Sequence, residues 1–254
     1  MPLESRISAE ILTHTLSTNE NLFAQLSASV HWEDVGKGRR GAVLIRIDET
    51  GGVPLVRTTT RYNSPTQCFQ PTHERLAQQI QEKLALPADF NNALIEIYTN
   101  AYRTMGGHSD QALDLADGSS IAVFSCYEHP EAGPPRKLIF ESKTPGNERF
   151  EVTLTHNSIV AFSLASNRRL RHKIVADTST AENQWLGVTF RTSKTLLHFH
   201  DGHAHLPQGE RLTLADDDQR RDFYRLRRRE NTEVDFTYPP LTYTISESDL
   251  LPPT

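Results

Sequence analysis

Residues 120–163 read SIAVFSCYEHPEAGPPRKLIFESKTPGNERFEVTLTHNSIVAFS. Apolar runs (SIAVFSCY, RKLIFES, RFEVTLT and SIVAFS) alternate here with the turn-rich EAGPP and TPGNE. Glycine and proline clusters punctuate the chain where it reverses, and no segment between the runs carries a helical period. The same texture extends outward through ALIEIYT (93–99), HKIVAD (172–177), WLGVTFRT (185–192) and TLLHF (195–199). Many short strands without intervening helices argue for a sandwich or barrel rather than parallel βαβ units. The predicted class is α+β, mainly β.

Upstream, SAEILTHTLSTNENLFAQLSASVHW (8–32) places Ile11, Leu12, Leu16, Leu22, Phe23 and Leu26 at spacings that suit helix, with Ser17, Thr18 or Asn19 capping a second helix. GAVLIRID (41–48) and PLVRTTTRY (54–62) read as strands. HERLAQQIQEKLAL (73–86) is an amphipathic helix with Leu76, Ala77, Ile80 and Leu84 on one side, ended by Pro87. Downstream, DDDQRRDFYRLRRRE (216–230) is an internally neutralised helix or charged loop, followed by the proline- and aromatic-rich FTYPPLTYTISESDLLPP (236–253). The predicted division is one domain over 1–205, with a helical N-terminal part (1–90) and a β core (91–200). A C-terminal extension (206–254) is packed on it or partly disordered.

The formal net charge is −5 and the pI near 6.1, which lowers the expectation of a sequence-nonspecific nucleic-acid binder. Cys68 and Cys126 are too few for a disulfide framework and read as reduced thiols. No apolar run is long enough to span a bilayer, and MPLESRISAE lacks the features of a signal peptide. The expectation is a cytoplasmic protein with no membrane association and no obligate protein partner.

The chemistry sits in MGGHSDQ (105–111) and NRRLRHKIV (167–175). His108 and Asp110, two apart on an extended segment, point the same way. With the distant His172 they make a two-histidine, one-carboxylate set, the facial arrangement of non-haem iron(II) oxygenases that leaves coordination positions open. Arg191 and Ser193 follow on a later strand, where an arginine can clamp a carboxylate with bidentate geometry. HFHDGHAH (198–205) also gathers four histidines, but without that order of carboxylate, histidine and arginine. It reads equally well as a strand end with exposed imidazoles.

From Val53 to Phe199 the chain resembles the AlkB-like Fe(II)/2-oxoglutarate-dependent dioxygenases. PLVRTTTRYN looks like the strand leading into that family's nucleotide-recognition lid, which would make Arg57 and Tyr62 substrate-binding. FNNALIEIYTNAYRTMGGHSDQ looks like the run from a co-substrate tyrosine, Tyr98 or Tyr102, to the H-x-D ligands. LTHNSIVAFSLASNRRLRHKIV resembles the segment delivering the distal histidine, with Asn167 a short step before His172. Arg168, Arg169 and Arg171 abut that histidine, which would place them near the mouth of the site, where they could meet an anionic substrate, Arg169 and Arg171 as substrate-binding residues. LGVTFRTS is similar to the co-substrate strand, with Thr189, Arg191 and Ser193 in register. The resemblance implies a double-stranded β-helix (jelly roll) with helices buttressing one face. It also implies Fe(II), 2-oxoglutarate and O2 as cofactors and His108, Asp110 and His172 as metal ligands. The implied reaction couples oxidative decarboxylation of 2-oxoglutarate to oxidation of a substrate C–H bond, and a hydroxylated N-methyl carbon leaves as formaldehyde. Substrates it admits are alkylated nucleic acid or, alternatively, a small molecule or protein side chain; a non-catalytic binding module is the third reading. Two positions depart from the family pattern: Glu96 stands where asparagine is common, and Trp185 where a second arginine is common. Arg103, Lys173 or Arg136 are the candidates to replace that arginine.

Overall fold

The computed structural model describes residues 7–87, 89–144, 148–177 and 182–254. The first six residues of MPLESRISAE and the centre of the TPGNE turn lie outside them. The first ninety residues contribute β1 (Ile11–Thr15), α1 (Leu22–Ser27), β2 (Glu33–Gly36), β3 (Arg39–Ile45), β4 (Val53–Pro54), β5 (Gln67–Cys68) and α2 (Pro71–Leu84). The middle of the chain supplies β6 (Asn92–Tyr98), β7 (Ser120–Tyr127), β8 (Lys137–Ser142), β9 (Arg149–Thr153) and β10 (Ser158–Ser163). It continues through α3 (Leu164–Arg169), β11 (Leu170–Val175), β12 (Trp185–Arg191), β13 (Leu196–His200) and β14 (His203–His205). The tail adds β15 (Thr213–Leu214), α4 (Asp217–Glu230) and β16 (Tyr243–Thr244).

The major sheet runs β1-β10-β7-β12-β6-β3-β2, with β5 joined in parallel to β3, and a second sheet runs β11-β8-β9. This is a jelly roll of mainly antiparallel sheets that stay separate rather than closing into a barrel. Its central strands are covered on both faces, which is why they read as near-continuous apolar runs. Ile95 and Ile97 of β6 and Leu186, Val188 and Phe190 of β12 pack under Leu22, Phe23, Leu26, Leu76 and Ile80 from α1 and α2. The alternate residues Tyr98 and Trp185 face the other way, into a cluster with Ile121, Phe140, Phe162 and Leu170. One strand thus supplies core on one face and pocket on the other.

The N-terminal ninety residues are less helical than their spacing predicts. Ile11–Thr15 is a strand paired antiparallel with β10, Ile11 buried and Leu12 44% exposed. An available sheet edge and the β-branched Ile11, Thr13 and Thr15 outweigh the helical spacing. Asn21, rather than Ser17, Thr18 or Asn19, caps α1, its side chain accepting from the Ala24 amide. Within PLVRTTTRY only Pro54 lies in a strand, in the short β4 that pairs with β13. Helix α2 starts at Pro71, where the missing N–H costs nothing, and ends with Ala85 in the left-handed conformation.

The tail is tied to the domain to its last residue: the Thr254 amide donates to the Thr66 carbonyl, and the Cys68 amide to that of Thr254. Phe223 and Leu226 of α4 pack with Tyr238, Leu241 and Tyr243. The outer face of α4 is neutralised internally by Arg220–Asp217, Arg221–Asp218, Arg225–Asp222 and Arg229–Glu233 pairs. Among the described residues no helix is long and apolar enough to cross a membrane.

Candidate metal centre

The centre is assembled by backbone pairing. The His108 amide donates to the His172 carbonyl (3.0 Å) and the His172 amide to that of His108 (2.7 Å). Residues exchanging both bonds of an antiparallel pair carry their side chains on the same face, and the two imidazole centroids lie 4.6 Å apart. His108 sits in an isolated bridge on β11 rather than in a continuous strand. The placement of Asp110 therefore needs its own support. The Asn167 side chain of α3 provides it, accepting from the Asp110 amide (2.8 Å) and donating to the Asp110 carbonyl (2.8 Å).

Asp110 Oδ1 lies 3.8 Å from His108 Nε2 and 3.6 Å from His172 Nε2, and the three ligand atoms fall within 4.8 Å of one another. Arg191 Nε donates to Asp110 Oδ2 at 2.7 Å. Burial alone would raise the Asp110 carboxyl, but the Arg191 guanidinium hydrogen-bonded to it holds it well below the usual carboxylate range. Burial pushes His172 down to about 3 and lowers His108 as well. At neutral pH the set is thus a carboxylate and two neutral imidazoles, the protonation state that metal binding requires. The Gly106 carbonyl, 3.0 Å from His108 Nδ1, draws the proton to that nitrogen and leaves Nε2 free to coordinate.

The C-terminal extension holds the same loop from outside. Asn231 Oδ1 accepts from the Ser109 amide (2.9 Å), Glu230 Oε1 from the Ala112 amide (2.8 Å), and Arg227 Nη2 donates to the Ser109 carbonyl (2.7 Å). Arg227 and Asn231 also line the cavity. A tail separated from the His108–Asp110 loop by over a hundred residues gave no sequence signal of this role.

The cavity over the triad has a volume of about 400 Å³. Tyr98, Tyr102, Thr189 and Arg191 all line it, so both tyrosines belong to its wall. Their rings are 4.5 Å apart, and the Tyr98 hydroxyl donates to Glu96 Oε2 at 2.8 Å. Ser193 is not in the lining; its hydroxyl ties the Leu55 carbonyl (2.5 Å). Arg57 reaches the wall, but its guanidinium is spent on Asp114 (2.6 Å) and on the carbonyls of Tyr243 and Leu241. Tyr62 is buried outside the lining. Arg168, Arg169 and Arg171 also lie outside it, paired with Asp117, Glu10 and Glu141 respectively.

The floor differs from expectation in one cation. Glu96 faces the cavity and pairs with Arg39 of β3 (3.4 Å). None of Arg103, Lys173 and Arg136 lines this cavity. Arg136 donates to the carbonyls of Tyr102 and Thr99 and stacks behind Tyr98 and Trp185. Arg39 and Trp185 do line it, and Arg39 Nε, Trp185 Nε1 and Arg191 Nη1 are buried donors without protein partners. A buried donor left unpaired is costly, so this end of the cavity fits an anionic, carboxylate-bearing molecule.

A jelly roll carrying two histidines, a carboxylate and an adjoining guanidinium around one open pocket defines a non-haem metal oxygenase. Residues 11–214 match the 2OG-Fe(II) oxygenase superfamily, and the chain belongs to it. It is accordingly an Fe(II)/2-oxoglutarate-dependent dioxygenase that uses Fe(II), 2-oxoglutarate and O2. No curated protein matches the chain. Among solved structures it is similar to OsALKBH1, at 13% identity over 72% of this chain and 96% of that one, with a TM-score of 0.46. It is also similar to a Pseudomonas putida prolyl-4-hydroxylase, at 12% identity over 72% and 92%, with a TM-score of 0.42.

Proposed function

We propose that this dioxygenase, AlkB-like in its motifs, demethylates N-alkylated nucleobases in DNA or RNA. The observation that carries this reading is Gln111. It follows Asp110 directly, lines the cavity and is 4% exposed; its side-chain oxygen has no hydrogen-bond partner, while its amide group interacts with the Tyr238 hydroxyl. That hydroxyl donates to Glu230 (2.6 Å) and accepts from Arg227 (3.3 Å). A side-chain amide offers a donor and an acceptor side by side, complementary to the edge of a base. A base extruded from the stack needs a pocket that reads it in this way, and the cavity falls in the size range of small-ligand sites.

His108, Asp110 and His172 hold the metal from one side, Arg191 keeps Asp110 ionised and aimed, and Asn167 fixes the backbone between the ligands. Bound Fe(II), with 2-oxoglutarate and O2, supplies the oxidant for a C–H bond. Tyr98, Tyr102 and Trp185 form an aromatic part of the cavity lining. A cytoplasmic setting belongs to the same proposal, supported by the free thiols of Cys68 and Cys126.

A second reading, oxidation of a small molecule or protein side chain, is favoured by the rim. Its arginines at 168, 169 and 171 are all paired with carboxylates, which leaves little charge there for a phosphate backbone. The test supplies an N-methylated single-stranded oligonucleotide and measures formaldehyde and succinate together. Matched yields, with formaldehyde lost in Gln111→Ala while substrate-free succinate formation persists, are expected. Succinate without formaldehyde from the wild-type protein refutes the nucleobase reading and leaves the second.

A further inference from the structure

2-Oxoglutarate is a dianion, and Arg191 already spends its Nε on Asp110. The distal carboxylate needs a cation of its own. Of the other arginines lining the cavity, Arg57 has its guanidinium consumed by three partners. Arg227 also has a buried, unpartnered Nε, but its charge is already met by the buried Glu230 carboxylate and its Nη2 by the Ser109 carbonyl, beside the ligand loop. Arg39 remains. Its Nη2 donates to Thr60 Oγ1 (2.9 Å), its Nη1 makes the longer pair with Glu96, and its guanidinium lies over the Tyr102 ring and interacts with that hydroxyl, while Nε is buried and unpartnered.

Strand register sets Arg39 at the Tyr98 and Trp185 end of the cavity. Arg39 is opposite Tyr98, and Tyr98 is opposite Trp185, so the three occupy one line across β3, β6 and β12. Glycine at 187 lets the indole lie along β12 toward the Glu96 rank: a Cβ there would fall 2.0 Å from the Trp185 ring. Trp185 lines the pocket, and its Nε1–H is buried without a partner.

We propose that Arg39 receives the distal carboxylate of 2-oxoglutarate, with Trp185 Nε1–H beside it, and that Glu96 limits co-substrate affinity by placing a like charge next to that carboxylate. The inference rests on the family's co-substrate and is independent of which molecule is oxidised. Glu96 holds Arg39 and Tyr98 in place between turnovers, and the incoming carboxylate must share Arg39 with it. Two variants should therefore move affinity in opposite directions, which a merely structural role would not do.

The test is anaerobic binding to the Fe(II)-loaded full-length chain, followed by calorimetry and charge-transfer absorption. It uses 2-oxoglutarate and 2-oxopentanoate, a five-carbon 2-oxo acid without the distal carboxylate. Arg39→Met should weaken 2-oxoglutarate by roughly 10- to 100-fold and leave 2-oxopentanoate within about 3-fold. Glu96→Gln, which keeps an acceptor for the Tyr98 hydroxyl, should tighten 2-oxoglutarate by roughly 3- to 10-fold. Arg39→Lys, retaining charge, should lose less than Arg39→Met. Unchanged 2-oxoglutarate affinity in Arg39→Met, an equal fall for both acids, or weaker binding in Glu96→Gln would overturn the assignment.

Discussion

Two regions of this molecule are rich in imidazole, and among the described residues only one gathers a candidate set of metal ligands. In the β13–β14 hairpin His198 pairs with His205 and His200 with His203, turned by Asp201 and Gly202 with positive φ. Ring centroids are 6.4 Å apart for His198–His200 and 5.6 Å for His200–His205, comparable with the 4.6 Å of His108–His172. The triad is nonetheless the tighter set, its ligand atoms all lying within 4.8 Å of one another. The hairpin imidazoles are exposed or half-buried, and among the described residues they do not form a ligand set of three. The triad has a carboxylate that a buried guanidinium keeps ionised, and an amide side chain that pins the backbone between its ligands. A metal site needs this supporting shell as much as it needs nitrogen atoms. His73 is a third case. It is fully buried, yet Nδ1 accepts from the Gln70 amide and Nε2 faces Ser29 Oγ at 2.8 Å, so it has no lone pair to give.

The contrast can be broken most sharply at the ligands themselves. Asp110→Ala should cut substrate-free conversion of 2-oxoglutarate to succinate by roughly 100-fold or more, whereas the double substitution His198→Ala/His200→Ala should leave it within about 2-fold. Equal losses in the two proteins would mean that the hairpin is a working metal site. Asn167→Ala tests the supporting shell, and a fall in Fe(II) affinity of roughly 10- to 100-fold is expected with all three ligands intact. Unchanged affinity in an equilibrium titration would show that the clamp is dispensable.

The smallest effect concerns His73, whose burial lowers its pKa to about 4 in the folded chain from an ordinary 6.5. A depressed histidine pKa means that the unfolded chain binds the extra proton between these values. Its contribution to stability is then full above pH 6.5 and declines as pH falls toward 4. Denaturant melts of His73→Gln should show a shallower acid limb over that window than the wild type. Superimposable limbs would remove His73 from the account.

What the sequence made legible was mostly local or carried on one strand. His108, Asp110, His172 and Arg191 could be read because the H-x-D spacing and the strand texture place them, and α2 because its apolar stripe is uninterrupted. Arg39 was invisible: its role depends on β3 lying beside β6 in one register, a pairing no local pattern reveals. The same holds for Arg227 and Asn231, whose basic helix reads as a solvated face although its last turn grips the ligand loop. Arg57 and Tyr62 show the reverse. Both suited a recognition lid by position, but Asp114 and the tail carbonyls draw Arg57 inward, and Tyr62 packs closely against Gly41. The β1 strand escaped for the same reason as Arg39, since its partner β10 lies nearly 150 residues away.

The most direct measurement is a crystal structure grown without oxygen in the presence of Fe(II) and 2-oxoglutarate, with anomalous data collected at the iron edge. One peak per chain, coordinated by the imidazoles of His108 and His172 and the carboxylate of Asp110, is the predicted result. A peak at the histidine hairpin, or triad side chains that turn away from a metal bound elsewhere, would contradict it.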